Sequence, residues 1–209
     1  MLQRLAFGLD EKTGADQGSQ KTFVVGITGS SGIIYGIRTV QVLKSLGFKV
    51  IVIYTRESTK VALLEHDLDL DMALRKYTDM VYTEEQIEAP PSSSSYKLDG
   101  MVIVPCSIRT LAEISSGLTY NLVSRTAANV LRTRGKLVLV IRETPLGVIE
   151  LRNALTAAEA GAIILPASPG FYSKPKTIQD VIDFVVGKTL DMLNVSHNLY
   201  RKWEGASYT

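Results

Sequence analysis

From Lys21 onward, short apolar runs rich in β-branched residues alternate with longer stretches in which apolar residues recur every three or four positions. The short runs lie at residues 22–28, 49–55, 101–106, 137–142 and 162–166. Each is almost continuously apolar, as a strand must be when both of its faces are covered. Between the first two runs, Ile33, Ile37, Val40 and Leu43 fall on one helical face, and Gly47 closes the helix. Further helices are expected at about 57–66, 108–117, 121–134, 147–160 and 178–195. Thr177 with Asp180 three residues on makes an N-terminal capping box for the last. This succession predicts an α/β fold: a doubly wound, mainly parallel sheet with helices on both faces, Rossmann-like or flavodoxin-like. Ligands of such sheets bind beyond the carboxyl ends of the strands.

The connection 83–97 contains two prolines and four consecutive serines, so it cannot extend either neighbouring element. Residues 1–20 carry one short apolar patch at 5–9, interrupted downstream by Asp10, Glu11 and Asp16, which fits neither a secretory nor an organellar signal. They read as a flexible leader before a single domain over residues 21–209 with a C-terminal tail.

Composition narrows the function classes. With 23 basic and 21 acidic residues, the net charge of +2 predicts neither nucleic-acid binding nor a polybasic membrane surface, so any anion site is local. No apolar run approaches the roughly 18 residues of a membrane span. One cysteine, Cys106, excludes an internal disulfide, and two histidines leave little for a metal centre. No metal site is expected, and a reducing cytoplasm is the natural setting. Cys106 itself reads as a small packing residue, because no histidine nearby in sequence could activate it.

The chemistry-bearing segments cluster at strand ends. Gly29, Ser30, Ser31 and Gly32 stand where the first strand hands over to the first helix, a place for close backbone approach and for a phosphate at the helix start. Tight strand-to-helix packing explains the same glycines. Their spacing is not G-x-G-x-x-G, and no Gly-Lys-Ser/Thr follows, so neither a standard dinucleotide fingerprint nor a P-loop is present. The second strand ends in Thr55 and Arg56 where an NAD enzyme carries an acidic residue, which disfavours NAD and leaves NADP open. The third long run ends in Pro105-Cys106-Ser107-Ile108-Arg109-Thr110, a second polar turn entering a helix; plain helix capping is its alternative explanation.

The segments Gly26-Ile27-Thr28-Gly29-Ser30-Ser31-Gly32, Tyr35-Gly36-Ile37-Arg38, 101–107, Arg142-Glu143-Thr144-Pro145-Leu146 and Pro169-Gly170-Phe171-Tyr172 resemble, in order, the UbiX flavin prenyltransferases, older names for which are aromatic-acid decarboxylases. The similarity runs from Lys21 nearly to Trp203. It implies transfer of a dimethylallyl group from dimethylallyl monophosphate to N5 and C6 of reduced FMN. The product, prenylated FMN, would serve a UbiD-type decarboxylase. By matching motif, Gly29, Ser30, Ser31, Thr55, Ser107, Ile108, Arg109, Thr110 and Arg125 would hold FMN. Tyr172 and Lys188 would hold the donor phosphate, and Ser31, Glu65, Arg132, Arg142 and Glu143 would be the polar catalytic positions. Arg132 stands where many relatives have Lys, and Lys188 where many have Arg; at a phosphate this replaces a bidentate fork by a point charge. The resemblance also implies a homo-oligomer, commonly a dodecamer of trimers, with flavin sites shared between subunits.

Breaking an allylic carbon–oxygen bond leaves added negative charge on the phosphate, which Lys188, Tyr172 and Arg142 are suited to stabilise without a metal. Glu143 suits the leaving group's proton, and Glu65 with Ser31 a proton relay or orientation. Taken without the resemblance, a structural ion pair is the alternative reading of Arg142 and Glu143, and a solvated helix face that of Arg132 and Arg134. Two other functions share these features. A flavin-dependent peptidyl-cysteine decarboxylase normally needs a histidine after the first helix, and none occurs here before His66. A non-catalytic FMN carrier subunit would have less need of Glu143, Tyr172 and a cation at position 188.

Overall fold

The computed structural model describes residues 20–205, so the leader expected over 1–20 lies outside the described residues apart from Gln20. In chain order the elements are β1 (Thr22–Ile27), α1 (Ile33–Ser45), β2 (Lys49–Tyr54), α2 (Arg56–His66), α3 (Leu70–Arg75) and β3 (Val81–Thr83). There follow β4 (Gly100–Cys106), α4 (Ile108–Ser115), α5 (Leu122–Arg132), β5 (Leu137–Ile141), α6 (Val148–Glu159), β6 (Ile163–Pro166) and α7 (Ile178–Met192). The six strands form one parallel sheet in the order β3-β2-β1-β4-β5-β6. That is the order of a Rossmann-type sheet, in which the chain reverses its direction of progress between β1 and β4.

The continuous apolar runs are explained by the two faces. Phe23, Val25 and Ile27 of β1 point into a core made with α1, α3 and α7, together with Val50, Val52, Val102 and Val104. The alternate residues Val24, Ile51, Ile53, Met101 and Ile103 point into a second core with α4 and α5, where Leu111, Leu122 and Val123 are buried. A strand with this period of two and no polar face can sit only in the middle layer of three.

The expected close of α1 and start of α7 hold, while α4, α5 and α7, expected to run to 117, 134 and 195, end at Ser115, Arg132 and Met192. Gly47 adopts φ +83° just past α1, and its N–H donates to the Lys44 carbonyl, the left-handed close that glycine permits. At α7 the Thr177 hydroxyl accepts from Asp180 N–H at 3.1 Å, and the Asp180 carboxylate accepts from Thr177 N–H at 2.9 Å. Two elements escape the sequence pattern. β3 has three residues and pairs with β2 alone, and α3 spans six residues, so neither is long enough to display a period. The 83–97 connection contains a short helical turn at Pro90–Ser92 docked on α5, where the Asn129 side chain donates to the Ser92 carbonyl at 2.7 Å and Pro91 is buried.

Candidate functional site

The carboxyl ends of β1 and β4 are tied together by Thr28, which is fully buried. Its hydroxyl donates to the Pro105 carbonyl at 2.8 Å and accepts from Ser107 N–H at 2.8 Å. This brings the first glycine turn and the Ser107 turn, 79 positions apart, to one place. Between them opens a cavity of about 320 Å³ lined by Gly29, Thr55, Glu84, Ser107–Thr110 and Glu143, with Glu57, Glu113 and Asn121 on its wall. Five strand ends thus meet around the cavity, as expected where connections leave a sheet in opposite directions.

Among the helices that begin at this edge, α1 and α2 have starts already occupied by carboxylates of the chain. Glu65 Oε2 accepts from Gly32 N–H at 2.9 Å, at the start of α1. Burial works against the Glu65 charge, but hydrogen bonds from the Ser31 side chain and from the Gly32 and Ile33 backbone outweigh it and hold its carboxyl below the usual range. Glu84 Oε1 accepts from Arg56 N–H at 2.8 Å, at the start of α2; burial nonetheless pushes its carboxyl up. The expectation that α1 offers its first N–H group to a phosphate is therefore corrected: that of Gly32 serves Glu65. The start of α4 differs. Ser107 caps it by accepting from Thr110 N–H at 3.2 Å, while the first-turn N–H groups of Ile108 and Arg109 have no carbonyl one turn earlier to bond. That end suits an anion.

Gly29 has a packing role besides any role toward a ligand. A Cβ there would lie 2.3 Å from Glu57 Cβ, so only glycine lets α2 approach this turn. Gly32 adopts φ +90°, the left-handed region that glycine tolerates. Arg109 donates to Glu113 at 2.9 Å. Glu113 is buried and also accepts from Tyr120 at 2.7 Å and Asn121 at 3.0 Å, so this carboxylate is fully partnered inside the wall. Cys106 is buried beneath, and burial pushes its thiol up to about 12, consistent with a packing residue.

At the end of β5, the Ser30 hydroxyl donates to the Arg142 carbonyl at 2.6 Å, fastening this strand end to the first turn. Arg142 Nε is buried and has no hydrogen-bond partner among the described residues, while Glu143 is exposed and borders the cavity. The alternative reading of Arg142 and Glu143 as a structural ion pair is not met, and Glu143 instead accepts from Thr144 N–H at 3.0 Å. A second cavity of about 370 Å³ opens at the end of β6, lined by Leu165, Pro166, Ser168–Gly170, Phe184, Val185 and Lys188. Tyr172, in the short turn Phe171–Ser173, packs edge-on against Phe184 at 5.6 Å and against Trp203 at 5.7 Å.

Two of the expected site residues stand apart. Arg125 is exposed on α5 and donates to the Ser92 carbonyl at 3.2 Å. Arg132 ends α5 and borders a cavity with Arg134, Gly135, Glu159 and Gly161. These residues precede β5 and β6, at the amino edge of the sheet, about 17 Å from Glu143 at the strand rise of a five-residue strand. Neither arginine lines the 320 Å³ cavity of its own subunit.

The sequence pattern did not single out Glu57, Glu84, Glu113 or Asn121 for the site. The four-residue spacing of Arg109 and Glu113 was a visible signal for a helical ion pair; nothing local marked Glu84, whose role depends on a turn 28 positions away.

A family model described as Flavoprotein matches residues 11–190. Among curated proteins, the chain is 54% identical over 187 residues to the flavin prenyltransferase UbiX of Saccharolobus solfataricus, covering 88% of this chain and 93% of that protein. Its fold matches the crystal structure of AnUbiX (PadA1) in complex with FMN and dimethylallyl pyrophosphate with a TM-score of 0.87 and 38% identity, over 90% of this chain and all of that one. A dodecameric FMN-dependent UbiX-like decarboxylase from Escherichia coli O157:H7 superposes with a TM-score of 0.84 at 33% identity, over 88% of this chain and all of that one.

Proposed function

Because the chain belongs to the Flavoprotein family and, within it, to the UbiX flavin prenyltransferases, we propose that it moves a dimethylallyl group from dimethylallyl monophosphate to N5 and C6 of reduced FMN. The observation that carries the site assignment is the cavity at the β1/β4 reversal, bounded by the free start of α4 and by Glu143. FMN fits these residues: Ser107, Ile108 and Arg109 would take its phosphate at a helix start, and Gly29, Ser30, Ser31 and Thr55 would line the ring's approach. When bound, reduced FMN supplies the nucleophilic nitrogen and ring carbon.

The chain's own groups then have separable tasks. Arg142, with its unpartnered buried Nε, together with Lys188 and Tyr172, would neutralise the donor phosphate as its bond to carbon breaks. A buried guanidinium nitrogen left without a partner is costly in a resting protein, and a phosphate oxygen would satisfy it. Glu143, exposed at the cavity rim, would handle the leaving phosphate's proton. Glu65 and Ser31 would act together, because the Ser31 side chain helps hold the Glu65 carboxyl in its charged form.

Arg125 and Arg132 would act on a neighbouring subunit's site, which a homo-oligomer of the dodecameric kind would supply. The broad apolar face of α6, with Val148, Ile149, Leu151 and Leu155 all exposed in one subunit, supports such an assembly. Among the described residues no helix is long and apolar enough to cross a membrane. A cytoplasmic setting suits the single buried thiol, residues 21–209 would act as one domain, and a UbiD-type decarboxylase would receive the product.

The test is to mix FMN-loaded, anaerobically reduced protein with dimethylallyl monophosphate and weigh the flavin. A mass gain of one dimethylallyl unit with release of inorganic phosphate is the expected result. Unchanged flavin with both the mono- and the diphosphate donor would favour a carrier function.

A further inference from the structure

After α7 the chain turns back and lies along the helix it has just left. The contact is unusually close at Gly187: a Cβ there would fall 2.5 Å from the Tyr200 ring and 2.8 Å from His197 Cε1. Glycine is disfavoured in a helix interior, and here it is what lets the returning segment approach. Asp191, one turn further along α7, gathers that segment. The Tyr200 hydroxyl donates to Asp191 Oδ2, Lys202 Nζ lies 3.2 Å from Oδ1, and His197 Nε2 lies 3.3 Å from the same oxygen. The histidine contact lacks hydrogen-bond alignment, for Nε2 has no hydrogen-bond partner among the described residues, while Nδ1 accepts from Leu199 N–H at 3.1 Å. Burial opposes the Asp191 charge, and the bonds from Tyr200 and Lys202 outweigh it, so this carboxyl stays below its ordinary range.

The gathered segment is continuous with the donor-side cavity. The Tyr200 ring packs on Phe184 at 4.8 Å, Phe184 on Tyr172 at 5.6 Å, and Tyr172 on Trp203 at 5.7 Å. The Lys188 ammonium stands 5.4 Å from the Tyr200 ring centre and 5.9 Å from that of Phe184, within cation–π range of both. Lys188 and Phe184 line the 370 Å³ cavity. Tyr200 therefore supports Lys188 from below and Trp203 supports Tyr172 from outside.

We propose that Asp191 and Tyr200 are positioning residues for the prenyl-phosphate site, holding residues 197–203 on α7 so that Tyr172 and Lys188 are set for the phosphate. This rests on the donor reading of that cavity given above. A long lysine side chain loses rotamer freedom when it is fixed. Supporting it on a ring that is itself tied to Asp191 removes that cost from the binding step.

Trp203 is the chain's single tryptophan, so its fluorescence reports the seating of the segment independently of turnover. FMN-loaded wild type, Asp191→Asn and Tyr200→Phe are compared. Tyr200→Phe keeps the ring against Phe184 and removes only the hydroxyl, so it decides the matter if Asp191→Asn does not fold. The expected result in both variants is lower Trp203 anisotropy, an about tenfold weaker affinity for inorganic phosphate, and an about tenfold higher KM for dimethylallyl monophosphate, with kcat within about twofold and FMN affinity unchanged. Phosphate affinity is measured without turnover, so it tests the inference even if the wild type forms no prenylated flavin. Any result in which Trp203 anisotropy and phosphate affinity fail to fall together overturns the proposal.

Discussion

The Glu65 carboxylate accepts a 2.9 Å hydrogen bond from the Gly32 N–H, 33 positions away, and so caps α1 from a different helix. Gly32 has no side chain with which to cap, so the acidic group comes from the end of α2. Removing it in Glu65→Ala should cost about 1 kcal/mol, the usual worth of a helix cap. The sign of the pH dependence follows from the lowered folded-state pKa. This stabilisation is fully present above the unfolded carboxylate value and is lost as pH falls through the folded one. Urea unfolding should show the gap between wild type and variant at pH 7 and its closure at strongly acid pH, where both carry no charge at this site. A gap independent of pH would mean that the carboxylate contributes packing alone.

Glu143 stands at the cavity rim, where among the described residues only the neighbouring Thr144 N–H bonds it, so its replacement should leave the fold intact. Glu143→Gln should slow prenyl transfer by about 100-fold, the typical effect of losing an acid–base group. Flavin absorbance retained after gel filtration should match the wild type. A rate within a factor of two of wild type would remove Glu143 from the chemistry.

Arg142 combines a carbonyl bonded to Ser30 with a buried Nε that has no partner among the described residues. Arg142→Lys keeps the charge but loses the planar fork, so the KM for dimethylallyl monophosphate should rise about tenfold, with a smaller change in FMN affinity. Steady-state kinetics on the reduced holoenzyme separates the two. Equal losses in donor and FMN binding would place Arg142 in the wall of the site and not at the phosphate.

The exposed apolar residues of α6 predict an assembly defect. Ile149 and Leu155 are 69% and 59% exposed in the single subunit, and Ala157 is the one residue of this helix that is buried. Ile149→Glu with Leu155→Glu should give smaller particles by light scattering, because charges at an apolar contact oppose association. Activity should fall with assembly, since Arg125 and Arg132 do not line their own subunit's cavity. Full activity in a monomeric variant would exclude shared sites.

The amino-acid sequence by itself determined the layered architecture. Runs such as 22–27, apolar on both alternating sets of positions, have no stable place except between two helical layers, and Gly47 and the Thr177–Asp180 pair end and start helices through contacts within a few residues. The glycine turn and the Ser107 turn were legible as neighbours at one edge because both follow strands, and parallel strands deliver their carboxyl ends to the same side, where they line one cavity. Three-residue β3 was not legible, since its pairing with β2, not its own pattern, makes it a strand.

What only the tertiary structure decided are the relationships that close long loops. Whether the start of α1 meets a ligand or Glu65 depends on where α2 ends in space, and the start of α4 stays open because, among the described residues, no carboxylate reaches it in the way Glu65 and Glu84 reach α1 and α2. Likewise the separation of Arg132 from Glu143 follows from α5 running back to the amino edge of the sheet, which places residues only 11 positions apart at opposite ends of β5. Local pattern specifies elements because it acts through neighbours one turn or one pleat away. Partners at a site are chosen by packing across the sheet, and that information is distributed over the whole core.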